Sequence, residues 1–519
     1  RNHTSTHTHS LNMAPRYCFH ILIFLFGVVP ISTKPITITT PTRCARVDVN
    51  SPCCPAPTAK VKDFIPPTRS GSLRVRRAAH RLDNGYIEKY AEAVRRMKAL
   101  PPTDPRSFTQ QASIHCAYCD GAYRQVNNTD MEVQIHLSWL FLPFHRYYIY
   151  FHEKILGKLI GDPTFALPYW NWDSPQGMTM PLLYTNPSSP LHDIKRNQTH
   201  YPPKLIDLNN NSDERNLSVH DLVSQNLATM YRNMVSNGET GSMFYGKPYR
   251  VGDQAAPGGG SIEDIPHNSV HLWVGRSGSD NENMGNFYSS ARDPMFYSHH
   301  ANIDRLWTLW KTKIGGKPKQ DLNDPDWLEA SFIFYDENAE AVRVKVKDCL
   351  QTRDLGYEYE IVDVPWIKAR PKARGKRASF SLTSVEDDAF EDKPFPVALD
   401  SVFSKRVRRP AKKKDGNAEI LTIQGIEFRR DVAAKFDVYV NERDWSECTP
   451  ANSEFAGSFL NIPNRHKAGK TLTTTLRLGI TELLQDLGAA DDESILVTLV
   501  PRYGKEHIRI GGLEIGFEP

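Results

Sequence analysis

Apolar residues recur with the 3.6-residue period of an amphipathic helix in several parts of the chain. The clearest stretch covers residues 78–100 and ends at Pro101 and Pro102, because proline cannot continue a helix. Similar stretches lie at 136–160, 218–236, 267–275 and 296–313. Long segments rich in Pro, Asn, Gly and Ser separate them. The pattern predicts a mainly α-helical core with long loops, which we place at residues 80–368.

After Trp310 the spacing changes to the alternation of apolar and polar residues that is typical of β-strands. It occurs within 331–365 and returns near the C-terminus in the segments ILTIQGIEF, KFDVYV, ILVTLV and HIRIGGLEI. Many short alternating segments without helical stretches between them are typical of a β-sandwich. We therefore predict a separate C-terminal β-sandwich domain over residues 405–519.

Basic runs, IKARPKARGKR and KRVRRPAKKK, stand on either side of an acidic patch between the core and the C-terminal domain. Such runs can bind nucleic acid or a membrane surface, or they can form a solvated linker that proteases reach. We favour the second interpretation, a cleavable linker at 369–404. The net charge of +4 is too close to balance to indicate a polyanionic partner, so no nucleic acid is expected.

The N-terminal region carries the pattern of a targeting segment. Residues 1–12 precede the first methionine and are interpreted as a translated leader or an artificial addition. Residues 13–32 hold a short basic region and an apolar run, as in a secretory signal peptide, too short and interrupted for a comfortable membrane span. We expect the secretory pathway, with the vacuole or the exterior as destination and no stable membrane association. The alternative is a plastid transit sequence leading to the thylakoid lumen.

Residues 33–79 are rich in Pro, Thr and basic residues and predict an extended arm. Three of its cysteines crowd a stretch with little apolar content, where disulfides would replace a core. Glycosylation sequons agree with entry into an oxidising lumen. The sequons are at Asn2, Asn127, Asn197, Asn210 and Asn216. The composition, 39% apolar and 24% charged over 519 residues, excludes collagen-like, wholly disordered and multispanning membrane proteins.

Histidines fall in two blocks, each beside aromatic residues. The first block contains His115, His136 and His145, and the second contains His267, His271 and His300, with His299 adjacent. His267 and His271 are four residues apart after Pro266, so a helix that starts at this proline presents both imidazoles on one face. His136 and His145 are nine residues apart, which would point them in opposite directions on one straight helix. We expect His136 on a loop and His145 on the helix that Pro143 begins.

Imidazole binds zinc, copper, iron and nickel, so the blocks alone do not choose the metal. Neither block carries an H-E-x-x-H motif or an obvious E-x-x-H pair, which argues against zinc peptidases and carboxylate-bridged di-iron proteins. A dinuclear hydrolase would need bridging carboxylates, which are not found. Two sites built from neutral imidazoles suit a pair of copper ions that cycle between +1 and +2.

At these residues the chain resembles the tyrosinase and plant polyphenol oxidase family. The segment HLSWLFLPFHRYYIYFHE (136–153) is similar to the family's first copper signature, and DPMFYSHHANID (293–304) is similar to its second. The likeness runs from Cys44 almost to the C-terminus and includes the plant-type segments DWL (326–328) and KFDV (435–438). It implies a mainly α catalytic core, a four-helix bundle around a dicopper site, with a C-terminal β domain that shields the site until a protease cuts the linker.

The resemblance also implies the site residues. It assigns His115, His136 and His145 to the first copper ion and His267, His271 and His300 to the second. His300 is chosen over His299 because the family's ligand lies four residues before an aspartate, which is Asp304 here. It implies a thioether between Cys119 and His136. The implied disulfides are Cys44–Cys54 and Cys53–Cys116. Cys349 and Cys448 remain, and a disulfide between them is one guess.

Three further residues are implied near the metals. Glu263 and Asn268 match positions that hold a water which helps to deprotonate a phenol, and Glu263 can equally be a helix N-terminal acid. Phe287 matches the gate residue over the second copper, or is plain core. Asp304 and Arg305 are expected to orient ligands or to form a structural salt bridge, and Arg146 and Glu153 to be structural.

The function implied by the resemblance is the oxidation of o-diphenols to o-quinones with O2, with ortho-hydroxylation of monophenols, by a latent precursor. The partners are O2, small phenols and an activating protease. A specialised phenol oxidase that forms aurones or lignans is an alternative within the class. A haemocyanin-like O2 carrier, which turns over no substrate, is the alternative outside it.

Overall fold

The computed structural model describes the chain in several ranges, separated by short gaps. These are residues 2, 33–38, 40–44, 53–67, 72–126, 128–211, 217–276, 278, 280–313, 319–374, 394–410 and 417–518. The predicted signal peptide, nearly all of the leader, the sequons at Asn127 and Asn216 and residues 375–393 of the predicted linker lie outside the described residues. The chain divides into two units, Arg1–Thr33 and Lys34–Pro519, and the elements below belong to the second.

Most helices of the described chain lie in its first two thirds and form the predicted α-helical core. These core helices are α1 (Asn84–Ala99), α2 (Phe108–Cys119), α3 (Phe141–Ile160), α4 (Val219–Tyr231), α5 (Gly241–Tyr245), α6 (Ser269–Val274), α7 (Met295–Lys313) and α8 (Pro325–Glu329), and a further helix, α9 (Thr481–Asp486), lies in the C-terminal domain. Helix α1 begins later than predicted, because the side chain of Asp83 accepts a hydrogen bond from the Tyr86 amide and caps the first turn. None of these helices has both the length and the apolar content needed to cross a membrane.

The strands of the described chain form five sheets. They are β1 (Val61–Asp63), β2 (Arg74–Arg76), β3 (Arg124–Gln125), β4 (Asn128–Glu132), β5 (Ser331–Tyr335), β6 (Ala341–Lys345), β7 (Tyr357–Tyr359), β8 (Val397–Ala398), β9 (Phe403–Arg408), β10 (Ala418–Arg429), β11 (Lys435–Val440), β12 (Phe455–Leu460), β13 (Thr471–Gly479), β14 (Ser494–Tyr503), β15 (Ile508–Ile510) and β16 (Gly512–Glu518). Strands β1 to β7 belong to three small sheets around the helices, and β8 to β16 form two larger ones.

The arm is tied to the helical core by strand pairing and disulfides. Strand β1 pairs in parallel with β6, and β2 pairs in parallel with β7. Disulfides join Cys44 to Cys54 and Cys53 to Cys116, the pairings that the resemblance implied. Cys116 lies in α2, so the second disulfide fastens the arm beside one histidine of the first block. A segment that buries little apolar surface is thereby held in place.

Charged side chains buried between the arm, α3 and α7 form one ion-pair network. Asp304 accepts hydrogen bonds from Arg146 at 2.5 Å and from Tyr357 and Tyr359, and Arg76 joins Asp304 to Glu153. Arg146 and Glu153 are thus structural, as predicted. Among the described residues, the side chain of Asp304 contacts arginines and tyrosines and not the histidines, so the structure favours a structural ion pair over an orienting role.

The C-terminal domain is a sandwich of two antiparallel sheets. One has the order β13-β10-β15-β8, with β16 also paired to β10, and the other has the order β12-β11-β14-β9. Their inner faces bury a common hydrophobic cluster that includes Leu421, Phe436, Phe459 and Val497. This arrangement confirms the predicted β-sandwich. Its sheets contain β8 at Val397–Ala398, so the domain takes in residues ahead of the predicted start at 405.

The guessed disulfide between Cys349 and Cys448 is wrong. Cys349 lies in the core of the helical domain, where its thiol donates to the Val346 carbonyl at 3.2 Å. Cys448 belongs to a separate cluster in the C-terminal domain, with Tyr439, Phe455 and Val500. The two residues are therefore parts of different hydrophobic cores, and folding does not bring them together.

Asn197 and Asn210 are the sequon asparagines that lie within the folded part of the described chain, and the side-chain amides of both are engaged. Asn197 is buried, and its side chain accepts hydrogen bonds from the amide and hydroxyl of Thr199. Asn210 donates to the Tyr503 hydroxyl of the C-terminal domain at 2.9 Å.

Asp437, in the KFDV segment, is expected to make the C-terminal domain sensitive to acid. It is fully buried and accepts hydrogen bonds from Lys435, Arg502 and Ser458. The positive charges of Lys435 and Arg502 favour its charged form and outweigh its burial, so its pKa is lowered to about 2. The folded-state pKa lies below the unfolded value of about 3.9. Its contribution of roughly 2–3 kcal/mol is therefore present above about pH 4 and is lost as the pH falls toward 2.

Asp437→Asn is expected to lower the free energy of unfolding of this domain by about 3–5 kcal/mol at neutral pH, because Lys435 is left buried without its counter-charge. It should also flatten the acid dependence between about pH 4 and 2. Urea unfolding at several pH values measures both. Asp431→Asn is the control, since its partner Arg429 is partly exposed and the pair contributes under about 1 kcal/mol. Equal losses in the two variants would contradict the prediction.

Candidate metal centre

The first block of histidines converges at the ends of α2 and α3. His115 lies on α2, His145 on α3 and His136 on the loop ahead of α3, as predicted, although α3 begins at Phe141, two residues before Pro143. The ring centroids of His136 lie 5.4 Å from His115 and 5.1 Å from His145. One nitrogen from each ring lies within 4.8 Å of the others. Three side chains from three segments thus meet at a point that one ion can occupy.

The second block converges in the same way. Ile265 has extended backbone angles, so the regular helical turn starts at Pro266, and it leads into α6 with His267 and His271 on one side. The rings of His267 and His271 are 4.5 Å apart, and His300 on α7 lies 5.0 Å from His267. Together with His299 these residues form a second group with nitrogens within 4.8 Å of one another.

The two groups are adjacent. The rings of His145 and His300 stack at 4.1 Å, and those of His136 and His267 lie 6.0 Å apart. Phe141 and Phe296 pack between them: Phe141 lies 4.7 Å from both His145 and His267. Two metal ions held by these groups would therefore be close neighbours in an aromatic enclosure.

The Nδ1 atom of most rings is fixed by an oxygen of the protein. His145 Nδ1 lies 2.8 Å from the Phe141 carbonyl, His271 Nδ1 lies 2.8 Å from the Met284 carbonyl, and His267 Nδ1 lies 2.8 Å from the Asn268 side-chain oxygen. Since these oxygens accept, each ring carries its proton on Nδ1 and leaves the Nε2 lone pair unprotonated. Such anchoring is what orients imidazoles that bind metals.

His299 differs from His300 in its hydrogen bonding. The Trp172 indole donates to His299 Nδ1 at 3.1 Å, so a neutral His299 carries its proton on Nε2 and offers no free lone pair. His300 Nε2 lies 3.3 Å from His271 Nε2. The geometry therefore favours His300 over its neighbour as a metal ligand.

The site fits a metal ion that prefers neutral nitrogen ligands. The Nε2 atoms of His115, His145 and His267 are buried and have no hydrogen-bond partner among the described residues. Burial lowers the pKa of these imidazoles, to about 3 for His145 and to about 4 for His271, because desolvation disfavours the charged form. All are therefore neutral at physiological pH. Buried lone pairs without donors are costly, and a bound cation would satisfy them.

A small cavity lies beside the first histidine group. It is lined on one side by His136, Glu263, Asn268 and Phe287, and on the other by residues of the C-terminal domain that include Ile462. Its volume is about 20 Å³, room for about one water molecule. Burial raises the pKa of Glu263 well above its ordinary value, while its Oε1 accepts from the Leu137 amide at 2.5 Å. The three predicted pocket residues therefore lie together at the entrance to the histidines.

Three family models match the chain. They are the common central domain of tyrosinase at residues 105–313, the polyphenol oxidase middle domain at 321–372 and the chloroplastic polyphenol oxidase C-terminal domain at 395–517. A protein of apple, Malus domestica, named polyphenol oxidase, chloroplastic, is 50% identical over 524 residues, which cover 95% of this chain and 87% of that protein. The chain belongs to the plant polyphenol oxidase family.

Other similar proteins include ones that are named as latent or specialised. Aureusidin synthase of Antirrhinum majus is 49% identical and matches 93% of this chain and 89% of that protein. The structure of latent apple tyrosinase has a TM-score of 0.82 at 51% identity and covers 89% of this chain and 100% of that one. Deoxygenated haemocyanin from Rapana thomasiana, with a TM-score of 0.50 at 15% identity over 87% of this chain and all of that one, shares the fold alone.

Phe287 contacts a histidine of the first block. Its ring packs at 4.8 Å against His136. Its backbone amide donates to the Pro463 carbonyl of the C-terminal domain at 3.0 Å, so the loop that carries Phe287 is held from the side of that domain. The position of Phe287 as a gate over the second metal stays a prediction.

Several residues that serve the site carry no signal in the sequence. Trp172 donates a hydrogen bond to His299, the neighbour of His300, and Gln134 contacts the His136 ring. Neither residue lies at a recognisable sequence spacing from the histidine block that it contacts. Met284 acts through its backbone carbonyl, which any residue would supply. Phe141 and Phe296 lie within the two signature segments, and that position is the one signal that could have identified them.

Proposed function

We propose that this polyphenol oxidase oxidises o-diphenols to o-quinones with O2 at a pair of copper ions. The observation that carries the proposal is the presence of two adjacent, buried, all-histidine groups whose imidazoles are neutral. Imidazole nitrogens suit copper, and within the described part of the chain neither histidine group includes a carboxylate. The proposed ligands are His115, His136 and His145 for one ion and His267, His271 and His300 for the other. When bound, the copper ions supply the binding and reduction of O2.

The protein orients the ligands and excludes water. The oxygens that accept from Nδ1 of His145, His267 and His271 keep each proton on the side of the ring away from the metal, so the Nε2 lone pairs of these three rings are available at neutral pH. Phe141 and Phe296 fill the space between the two groups and leave an apolar enclosure. In such a medium the charges that develop during oxidation of a phenol are stabilised by fixed groups of the site and not by mobile solvent.

Glu263 and Asn268 are proposed to handle the proton of an incoming monophenol. Both line the cavity beside His136, and the Asn268 side-chain oxygen is held by His267 Nδ1. A cavity with room for one water between a carboxyl and an amide can bring that water into reach of a phenol hydroxyl. Desolvation raises the pKa of Glu263 in the covered site, and entry of water when the site opens would lower it toward the range of a base.

Glu263→Gln is expected to lower monophenol hydroxylation about tenfold or more while leaving catechol oxidation within about twofold, since a general base typically contributes about 10²- to 10⁴-fold to the step that needs it. Initial rates with tyramine and with its ortho-diphenol give the ratio directly. Asp264→Asn is the matched control, a neighbouring buried acid that is not among the residues lining the cavity. A parallel fall of both rates in Glu263→Gln would show a structural role instead.

The C-terminal domain is proposed to keep the enzyme latent. Its segment 460–467 lies over the cavity: the Leu460 carbonyl accepts from the Asn268 amide group at 2.6 Å, and the Asp120 carboxylate accepts from Asn464 at 2.7 Å and pairs with His466. Pockets that admit small ligands usually exceed roughly 300 Å³, and the remaining cavity is about 20 Å³. A phenol therefore needs this segment to move away.

An activating protease is the proposed partner that removes the shield. The part of the predicted linker from 375 to 393 lies outside the described residues, but its N-terminal flank is held on the C-terminal domain. Arg370 pairs with Asp486 at 2.8 Å, and Arg374 pairs with Glu442 at 3.0 Å. A cut between 375 and 393 therefore leaves this flank attached to the shield, and activation requires the two fragments to separate.

We also propose a thioether between Cys119 and His136. Cys119 is a buried thiol at the C-terminal end of α2, and a hydrogen bond from Gln134 to its carbonyl joins this end of α2 to the loop of His136. A covalent bond there would restrain a ligand that stands on a loop and not on a helix. Histidines on regular helices need no such restraint.

The proposed compartment is an oxidising lumen. The two disulfides of the arm support it, because such bonds persist where thiols are not kept reduced. The predicted signal favours the secretory pathway, and the apple relative is named chloroplastic. An import assay with isolated plastids and with microsomes separates these two routes.

The test of the proposed function is O2 uptake by the copper-loaded, cleaved chain with catechol. We expect stoichiometric quinone formation and about two copper ions per chain, as the two histidine groups require. Reversible O2 binding without quinone would support the carrier alternative and overturn the proposal. Aurone formation from a chalcone is the second candidate activity, supported by the likeness to aureusidin synthase, and a chalcone in the substrate panel tests it.

A further inference from the structure

Gln134 lies between strand β4 and His136, and its side chain is buried. Its amide nitrogen donates to the Cys119 carbonyl at 2.6 Å. Its amide oxygen accepts from the His136 backbone N–H at 3.0 Å and lies 3.3 Å from His136 Nδ1. One side-chain amide therefore bridges the two residues between which the thioether is proposed.

The chemistry of the partners allows one orientation of this amide. The Cys119 carbonyl can only accept a hydrogen bond and the His136 backbone N–H can only donate one, so the nitrogen faces Cys119 and the oxygen faces His136. The same oxygen accepts from His136 Nδ1, which leaves Nε2 for a metal. Because all of these atoms are buried, losing a partner would leave a polar group unsatisfied at a cost of about 1–3 kcal/mol.

We propose that Gln134 is the positioning residue for formation of the Cys119–His136 thioether, a role that rests on the proposed copper site. It fixes the end of α2 that carries Cys119 and the loop that carries His136 relative to each other. It also sets the rotation of the imidazole, since the hydrogen bond to Nδ1 determines which ring atoms face the thiol. Cys119 and His136 are otherwise on separate segments, 17 residues apart in the chain.

The crosslinking step is an oxidation with a defined balance. The S–H bond of Cys119 and one ring C–H bond of His136 break, and a C–S bond forms. Two electrons and two protons leave the protein, and O2, the oxidant of the proposed reaction, accepts them to give hydrogen peroxide. The step needs the sulfur and the ring carbon in contact, and a misplacement of about 1 Å slows such intramolecular steps by about 10²-fold.

The experiment follows crosslinking after Cu(II) is added in air to chain produced without copper. At timed points the protein is denatured, reduced and alkylated, and digestion with mass spectrometry shows whether Cys119 is alkylated or joined to the His136 peptide, two hydrogens lighter than the sum. In the unsubstituted chain we expect complete crosslinking. In Gln134→Met, which removes both hydrogen-bonding ends, we expect a rate about 10- to 100-fold lower.

Gln125→Met is the matched control. Gln125 is a buried glutamine on strand β3, and its amide binds Tyr249, Asp253 and Gly252 away from the histidines. It should crosslink at the rate of the unsubstituted chain. Gln134→Glu keeps an acceptor for His136 and loses the donor to Cys119, so an intermediate rate is expected. This variant has the size of the original and decides the matter if Gln134→Met does not fold, as judged by circular dichroism.

The outcomes separate this inference from the proposed function. Crosslinking of both Gln134 variants at the rate of Gln125→Met would overturn the positioning role. An unsubstituted chain that binds copper and forms quinone but leaves Cys119 open to alkylation would also overturn it, while the oxidase proposal stands. A chain that takes up no copper would instead refute the proposed metal centre. Slow crosslinking in the Gln134 variants alone supports the inference.

Discussion

His267→Ala is expected to remove one of the two copper ions and to lower the oxidation of catechol by at least about 10³-fold. Substitution of groups that merely orient a ligand costs 10- to 100-fold, and this change removes a proposed ligand itself. The His267 ring contacts His271 and His300 of its own group and His136 of the other. Its loss therefore opens the second group and disturbs the boundary between the two.

The measurement is the copper content per chain after loading and gel filtration, together with the initial rate with catechol. His152→Phe is the control. His152 is also a buried imidazole, stacked on Tyr297 at 3.5 Å, but it belongs to neither group of potential ligands. We expect two copper ions and a nearly unchanged rate for this variant. Retention of two ions in His267→Ala, or loss of one in His152→Phe, would refute the ligand assignment.

Separation of the C-terminal domain is expected to raise the rate of catechol oxidation about 10- to 1,000-fold. In the intact chain, substrate reaches the histidines only in the fraction of molecules whose shield is open, and minor conformations typically populate about 0.1–10%. Many polar contacts hold the closed state. Asn209, Asn210 and Asn211 of the helical domain bind Ser458, Tyr503 and Asp437, and the Asn268 side chain binds the Leu460 carbonyl.

Limited proteolysis of the linker, followed by size-exclusion chromatography, tests this expectation. A chain that is cut in the linker but whose two fragments remain bound to each other should oxidise catechol at nearly the rate of the intact chain, because the contacts of segment 460–467 do not depend on the linker. The isolated core should show the full rise. Unchanged activity after complete separation would contradict the shielding role.

A variant of the intact chain gives an independent check of the shield. Asp120→Asn removes the charge that faces His466, and we expect partial activation without cleavage. Asp130→Asn, an exposed residue of strand β4, is the control and should leave the latent rate unchanged. Equal rates of catechol oxidation by the two uncleaved variants would show that Asp120 does not help to hold the C-terminal domain over the site.

Local patterns predicted the helices and their histidines well. The four-residue spacing of His267 and His271 after Pro266 is realised in a helical turn that leads into α6. The nine-residue spacing of His136 and His145 correctly placed the first on a loop and the second on α3. These predictions succeed because the period of a helix depends on neighbours within a few residues.

The resemblance implied that the C-terminal domain shields the site, but the individual contacts between distant segments were not predicted. The pairing of arm strands with β6 and β7, the Trp172 hydrogen bond that distinguishes His299 from His300, and the contacts by which segment 460–467 covers the cavity all join parts of the chain far apart in sequence. The guess about Cys349 and Cys448 failed for the same reason, since proximity depends on which cores the two segments enter.

The amino-acid sequence by itself determined the classes of structure, the six candidate ligands and the likeness to copper oxidases, because periodicity and signature motifs are local properties. Only the tertiary structure decided which imidazole nitrogens are free, how Gln134 bridges Cys119 to His136, and how tightly the C-terminal domain closes the site. Those properties depend on burial and on hydrogen bonds a few ångströms long, which exist only once remote segments have packed together.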